Sequence, residues 1–104
     1  MERTFFQWIQ RQVRLGRYVI TKHAEIERQE EEIDVDDVEA CIRGGFLLED
    51  YSEDPRGRSC LVVGYADGQW LHVVCGRKNE SAIIITVYVP KPPYWRTPTH
   101  RGDL

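Results

Sequence analysis

The sequence predicts an α+β fold in which N-terminal helices pack on one face of a four-stranded antiparallel sheet, a two-layer arrangement. Three observations point there. Helix signals crowd ahead of Gly45, with capping residues preceding apolar positions at helical spacing. Apolar, β-branched runs of strand length fill the stretch from Phe46 to Pro90. Asp67-Gly68 separates two of these runs, and it is the residue pair that a type I′ hairpin turn asks for, with positive φ at both central positions. Helices first and strands second is the order of a layered α+β domain.

In chain order, Thr4 is placed to cap a first helix carrying Phe5, Trp8, Ile9 and Val13 on one face, with Gly16 as its stop. Tyr18-Val19-Ile20 is short and β-prone, an edge strand or an extended lead-in. Thr21 offers the next N-cap, before the polar and weakly amphipathic run Lys22-His23-Ala24-Glu25-Ile26-Glu27. Asp34, with Asp37 three residues on, resembles a capping box, and Ile33 and Val38 stand where a hydrophobic staple would be. Val35, Val38, Cys41 and Ile42 give that third helix its apolar stripe, which Gly44-Gly45 ends. Phe46 to Tyr51 is a first strand, and Ser52 to Arg58 a polar turn. Three strands then run as a meander between Ser59 and Pro90, broken at Asp67-Gly68 and at the polar loop Arg77 to Ser81. From Lys91 onward Pro92, Pro93 and Pro98 keep the tail extended, with Trp95 pinning it to the body.

The two-residue turn sets Ala66 opposite Gln69, Val63 opposite His72 and Cys60 opposite Cys75. Similar closure of the second loop places His72 near Thr86 and Trp70 near Tyr88. Alternation then gives a wholly apolar face of Cys60, Val62, Gly64, Leu71, Val73, Cys75, Ile83, Ile85 and Val87. The other face holds Leu61, Val63, Tyr65, Trp70, His72, Val74, Ile84, Thr86 and Tyr88.

A chain of 104 residues is expected to form a single domain, 1–104: an N-terminal helix over 1–17, helices plus sheet over 18–90 and a proline-rich tail over 91–104. The apolar share of 41% and charged share of 30% are those of a soluble globular protein. No apolar run approaches a membrane span, and the start lacks the pattern of a secretory signal. Three cysteines without a Cys-x-x-Cys pair suggest reduced core thiols, and a cytoplasmic location is expected. The net charge of −3 argues against a general nucleic-acid coat protein. Its distribution is uneven: Arg3, Arg11, Arg14, Arg17 and Lys22 come first, acids dominate from Glu25 to Asp54, and cations return from Arg56 on.

Two histidines invite chemistry. His72 sits mid-strand among aromatics, where a half-buried histidine needs no function. His23 opens a helix with Glu27 one turn later, so that a carboxylate could hold its tautomer as general acid–base work requires. A plain surface pair is the competing account. Neither belongs to a metal-spaced motif, so no metal and no cofactor are expected; a phosphate loop and a serine elbow are also missing. Tyr65, Trp70 and Tyr88 beside His72 form the kind of platform on which unpaired bases stack. Arg56, Arg58, Arg77 and Lys78, at strand ends, could reach phosphates.

His23-Ala24, Glu27, Ile33, Asp37-Val38-Glu39, Gly45, Glu49-Asp50-Tyr51, Asp54, Arg56-Gly57, Ser59-Cys60-Leu61, Gly64, His72 to Cys75, Ile85 to Tyr88, Pro90 and Trp95-Arg96 together resemble a small bacterial family. It is domain-of-unknown-function family forty-two fifty-eight, grouped with the barnase–EndoU–colicin–RelE ribonuclease folds, and the resemblance covers His23 to Arg96. Members are often encoded beside a small zinc-finger and helix-turn-helix protein, as in MqsR–MqsA toxin–antitoxin pairs. The resemblance implies a ribonuclease toxin with such an antitoxin as partner, RNA meeting the exposed sheet face, and His23, Glu27, His72, Thr86 and Tyr88 as site residues. This chain departs at Arg28-Gln29-Glu30-Glu31-Glu32, where a methionine and a glycine are usual.

The leading expectation is therefore a metal-independent endoribonuclease acting on mRNA. One histidine would deprotonate a ribose 2′-hydroxyl, the other or Tyr88 would protonate the leaving oxygen, and a loop arginine would neutralise the phosphorane. The alternative is a non-catalytic RelE-like module that binds a protein partner or RNA. A histidine and cysteine metal site is the lesser one.

Overall fold

The computed structural model describes residues 4–102; Arg3, counted above among the N-terminal cations, lies outside them. The described chain forms helices α1 (Phe5–Arg14), α2 (Lys22–Glu30) and α3 (Val35–Gly44). Its strands are β1 (Tyr18–Ile20), β2 (Phe46–Tyr51), β3 (Ser59–Ala66), β4 (Gln69–Lys78), β5 (Ser81–Tyr88), β6 (Trp95–Thr97) and β7 (His100–Arg101). The helix caps follow from the sequence. The Thr4 hydroxyl accepts the Gln7 N–H at 3.0 Å, and the Thr21 hydroxyl accepts that of Ala24 at 3.0 Å. Asp34 occupies the N-cap of α3 without a side-chain bond. α1 closes in a Schellman motif: Gly16 turns left-handed at φ 73°, Arg17 N–H reaches the Gln12 carbonyl at 2.8 Å and Gly16 N–H that of Val13 at 3.0 Å.

The sheet has five strands and is mixed, in the order β1-β5-β4-β3-β2, where four antiparallel strands were expected. The added member is β1, which pairs parallel with β5 through Tyr18↔Ala82 and Ile20↔Ile84. Three residues carry too little periodicity to declare a strand; the edge of β5 supplies the partner that makes it one.

The first hairpin has the expected register, Ala66↔Gln69, Val63↔His72 and Cys60↔Cys75, and its turn residues Asp67 and Gly68 lie at φ 50° and 81°. The second hairpin does not. β4 continues to Lys78, so that the loop shrinks to Asn79-Glu80, and a β-bulge opposite Val74 and Cys75 leaves Ile85 unpaired. His72 consequently faces Tyr88, Val74 faces Thr86, and Trp70 is not opposite Tyr88. The bulge also inverts the alternation. Ile84, expected on the open face, is fully buried in the core, whereas Ile83 and Ile85 turn out of it.

Helix α2 satisfies the backbone that this irregularity and the short β1 leave open. Thr21 N–H bonds the Ile84 carbonyl at 3.0 Å, and its hydroxyl bonds that of Ile85 at 3.2 Å. Further along the β5 edge, Glu27 accepts the Val87 N–H at 3.0 Å and Glu31 that of Val89 at 3.3 Å. These carbonyls and N–H groups thus find partners off the sheet.

The helices cover one face, where Ile9, Val13, Val38 and Ile42 meet Val62, Leu71, Val73 and Ile84. Helix α3 lies unusually close to β3 because of two glycines. A Cβ on Gly45 would stand 2.4 Å from the Val63 carbonyl oxygen, and one on Gly64 2.6 Å from that of Cys41. Cys60 and Cys75 are cross-strand neighbours in this core as free thiols, and burial pushes that of Cys60 up to about 12. The tail is more than an extended strap: β6 and β7 form a small hairpin lying on the other face, anchored by the buried Trp95.

Candidate functional site

The register orders the face away from the helices into rows. Tyr51, Ser59, Gly76 and Ile83 make one; Glu49, Leu61, Val74 and Thr86 the next; Phe46, Val63, His72 and Tyr88 the third; Tyr65 and Trp70 the last. The C-terminal hairpin lies across the two middle rows. Its Pro98 carbonyl meets His72, its Trp95 ring stands edge-on to the imidazole at 4.4 Å between centroids, and its Arg101 reaches Glu49.

His72 is fully buried there, not half-buried and open to a ligand as the sequence suggested. Its Nε2 is 2.7 Å from the Pro98 carbonyl oxygen and must carry the hydrogen, so Nδ1 accepts from the Tyr88 hydroxyl at 3.1 Å. Burial holds its pKa below the usual histidine value, partly offset by the Pro98 carbonyl and the Glu49 charge, so the ring is neutral at pH 7. The Tyr88 hydroxyl, whose phenol burial pushes upward, is its side-chain hydrogen-bond partner among the described residues.

Tyr88 lines a cleft of about 610 Å³ with Glu27, Thr86, Lys91, Trp95 and Arg101. Three of the five site residues drawn from the sequence therefore meet in one place. His23 stands just outside: its side chain is 69% exposed and its Nε2 is 3.3 Å from Glu27 Oε2. The two histidines are not adjacent. They flank the cleft, His23 beside Glu27 and His72 beneath Tyr88.

Arg101 was missed by sequence reasoning, as were the roles of Glu49 and Tyr51; Trp95 pins the tail as the sequence suggested. The Arg101 guanidinium grips Glu49 at 2.8 and 2.6 Å and stacks on Trp95 at 4.7 Å, while the Tyr51 hydroxyl donates to the same carboxylate. Arg101 holds the Glu49 carboxyl below its usual range, and burial with the Glu49 charge pushes the Tyr51 phenol up. Glu49 and Tyr51 stood in plain view in the family-like motif. Nothing local marks Arg101, because only the hairpin brings it to the sheet.

Arg56, Arg58, Arg77 and Lys78 do gather at one end of the sheet, around a second cleft of about 420 Å³ that shares Thr86 with the first. Strand alternation turns two of them away. Arg58 lies over Phe5 at 4.9 Å and pairs with Asp50; Arg77 lies over Trp8 at 5.0 Å and pairs with Glu80. Arg56 is held by Asp54, and Lys78 has no ion-pair partner among the described residues. Tyr65 and Trp70 pair edge to face at 5.2 Å beside the exposed Phe46, at the opposite end of β4, about 26 Å from Lys78 at strand rise. The aromatic platform and the basic cluster are thus separate. Among the described residues no three His, Cys, Asp or Glu side chains converge as a metal site, and no helix is long and apolar enough to cross a membrane.

No curated protein and no solved structure shows significant similarity to this chain. A family profile described as a domain of unknown function (DUF4258) matches residues 20–89, from the end of β1 to just past β5. The matched span holds His23, Glu27, His72, Thr86 and Tyr88 and leaves out α1 and the Trp95–Arg101 hairpin. With two thirds of its length matched in this way, the chain belongs to the DUF4258 family.

Proposed function

We propose that this protein is a RelE-like, metal-independent endoribonuclease of the toxin type, cutting mRNA in the cleft between α2, β5 and the C-terminal hairpin. The observation that supports it is the meeting of Glu27, Thr86 and Tyr88 with the cations Lys91 and Arg101 around one cleft, flanked by two histidines. The Tyr88 oxygen takes the proton of a ribose 2′-hydroxyl as its own passes to His72 Nδ1. The 2′-oxygen then bonds to the adjacent phosphorus and the P–O5′ bond breaks. His23, in its protonated form beside Glu27, delivers a proton to the leaving 5′-oxygen, and Arg101 and Lys91 neutralise the phosphorane. In this scheme His72 acts through Tyr88, which keeps a role for it beneath the hairpin.

The test is cleavage of a defined mRNA in EDTA, with and without ribosomes, by the wild type, Tyr88→Phe and His23→Ala. Tyr88→Phe preserves the ring against His72 and removes only the hydroxyl, so a folded variant should lose about 10²–10⁴-fold in rate. Undiminished cleavage by Tyr88→Phe would overturn the mechanism. No cleavage by folded wild type in either arm favours a second reading, a non-catalytic module binding a protein partner, such as a small zinc-finger and helix-turn-helix antitoxin, or RNA. One observation supports that reading: Arg28, Arg56, Arg58, Arg77, Lys91 and Arg101 each already face a carboxylate of this chain. Cations so engaged attract phosphate weakly.

A further inference from the structure

The cleft of about 420 Å³ beside the cutting site has a construction that the reaction does not use. It lies over the row that the C-terminal hairpin leaves uncovered, where Gly76 brings the strand close under the Ile83 and Ile85 side chains. The Tyr51 ring and the Ile83 and Ile85 side chains line it. Both isoleucines point this way because of the bulge at Ile85; a regular strand in phase with the buried Val87 would have sent both into the core. Bulges of this kind commonly re-aim side chains beside functional sites. The volume falls within the range of about 300–1,000 Å³ seen for small-molecule sites.

Of the polar groups around this cleft, Arg56 pairs with Asp54, Arg58 with Asp50 and Arg77 with Glu80, while three others are unengaged. The Ser59 and Thr86 hydroxyls have no hydrogen-bond partner among the described residues, and Lys78 has no carboxylate. A cleft that sets the Tyr51, Ile83 and Ile85 side chains beside two idle hydroxyls and the unpaired Lys78 complements a flat heterocycle carrying hydrogen-bonding edges and a phosphate. Thr86 lines this cleft and the cutting cleft alike, so a strand lying in one continues into the other.

We propose that this cleft is a nucleotide subsite: it takes one base of single-stranded RNA next to the scissile bond, between Tyr51 and the Ile83–Ile85 pair, with its phosphate at Lys78. The subsite selects which nucleotide flanks the cut. It rests on the RNA reading of the neighbouring cleft, and the two are separable by experiment.

The probe is a mixed-sequence 2′-O-methyl hexanucleotide, which binds as RNA does and cannot be cut, followed by NMR on the full chain with wild type, Gly76→Ala and Lys78→Ala. Gly76 does not have a left-handed φ, and a Cβ there would stand 3.1 Å from Ile85 Cδ1, 3.3 Å from Ile83 Cγ2 and 3.4 Å from the Arg58 carbonyl oxygen, so alanine narrows the cleft by pushing the two isoleucines outward. The expected result is that the Ile83 and Ile85 methyl signals shift and Gly76→Ala binds about tenfold more weakly, the scale of one lost base contact. Lys78→Ala should lower the slope of log K against log salt by about 0.7, one phosphate contact on a single strand. Shifts confined to Glu27, Tyr88 and Arg101, with both variants binding as wild type, would overturn the subsite and leave the RNA reading standing. No shift anywhere would overturn both.

Discussion

His72 concentrates the physics of the site in one side chain. A fully buried imidazole keeps its neutral form because solvent cannot stabilise the cation, and the Pro98 carbonyl fixes which nitrogen bears the hydrogen. Its folded-state pKa lies below the unfolded value of about 6.5, so between the two the unfolded chain binds more protons. Stability is then fully present above about pH 6.5 and is lost as pH falls through the folded pKa. The thermal midpoint should fall as pH drops from 6.5 toward 5, and His72→Gln should flatten that part of the profile. An equally steep fall in His72→Gln would place the titrating group elsewhere. Sequence alone marked His72 as special and could not say whether it was open, because its cover comes from residues more than twenty positions away.

At the scale of elements, α2 does more than its weak amphipathicity suggests. It caps the open edge of β5 through Thr21, Glu27 and Glu31, so Glu27 has a structural task besides any chemical one. The helix ends under strain. Ile33 N–H bonds the Arg28 carbonyl at 2.7 Å and Glu32 N–H that of Gln29 at 3.2 Å, with Glu32 held left-handed at φ 57°. A side chain in that conformation costs about 1–2 kcal/mol, and glycine escapes it at some entropic loss in the unfolded state. Glu32→Gly should therefore stabilise the protein by about 0.5–1 kcal/mol, read as a higher urea midpoint at unchanged slope. A lower midpoint would mean that the residue is not strained.

Across the whole molecule, the C-terminal hairpin is tied to the sheet by Trp95 on His72 and by Arg101 on Glu49. The ion pair is more than half exposed on the arginine side, so water screens it, and its loss should cost no more than about 1 kcal/mol. Its proposed duty toward a phosphorane is a far larger effect. Arg101→Ala is accordingly expected to unfold within about 1 kcal/mol of wild type in urea while losing about 10²-fold or more in RNA cleavage. Equal cleavage with equal stability would leave Arg101 as a tether only.

What the sequence determined by itself is what neighbouring residues decide among themselves. The Thr4 and Thr21 caps, the Gly16 stop, the Asp67-Gly68 turn and the register of the hairpin it closes all rest on steric and hydrogen-bonding preferences within a few positions. Family membership was legible for the same reason, carried by ordered short motifs. Tertiary structure alone decided the parallel pairing of β1, the bulge that sends Ile83 and Ile85 out of the core, and the hairpin that buries His72 and delivers Arg101. Each of those depends on backbone donors and acceptors at a sheet edge or on an uncovered face finding partners far away in the chain. Local preference is silent about such partners, because their free energy exists only once the distant segments have met.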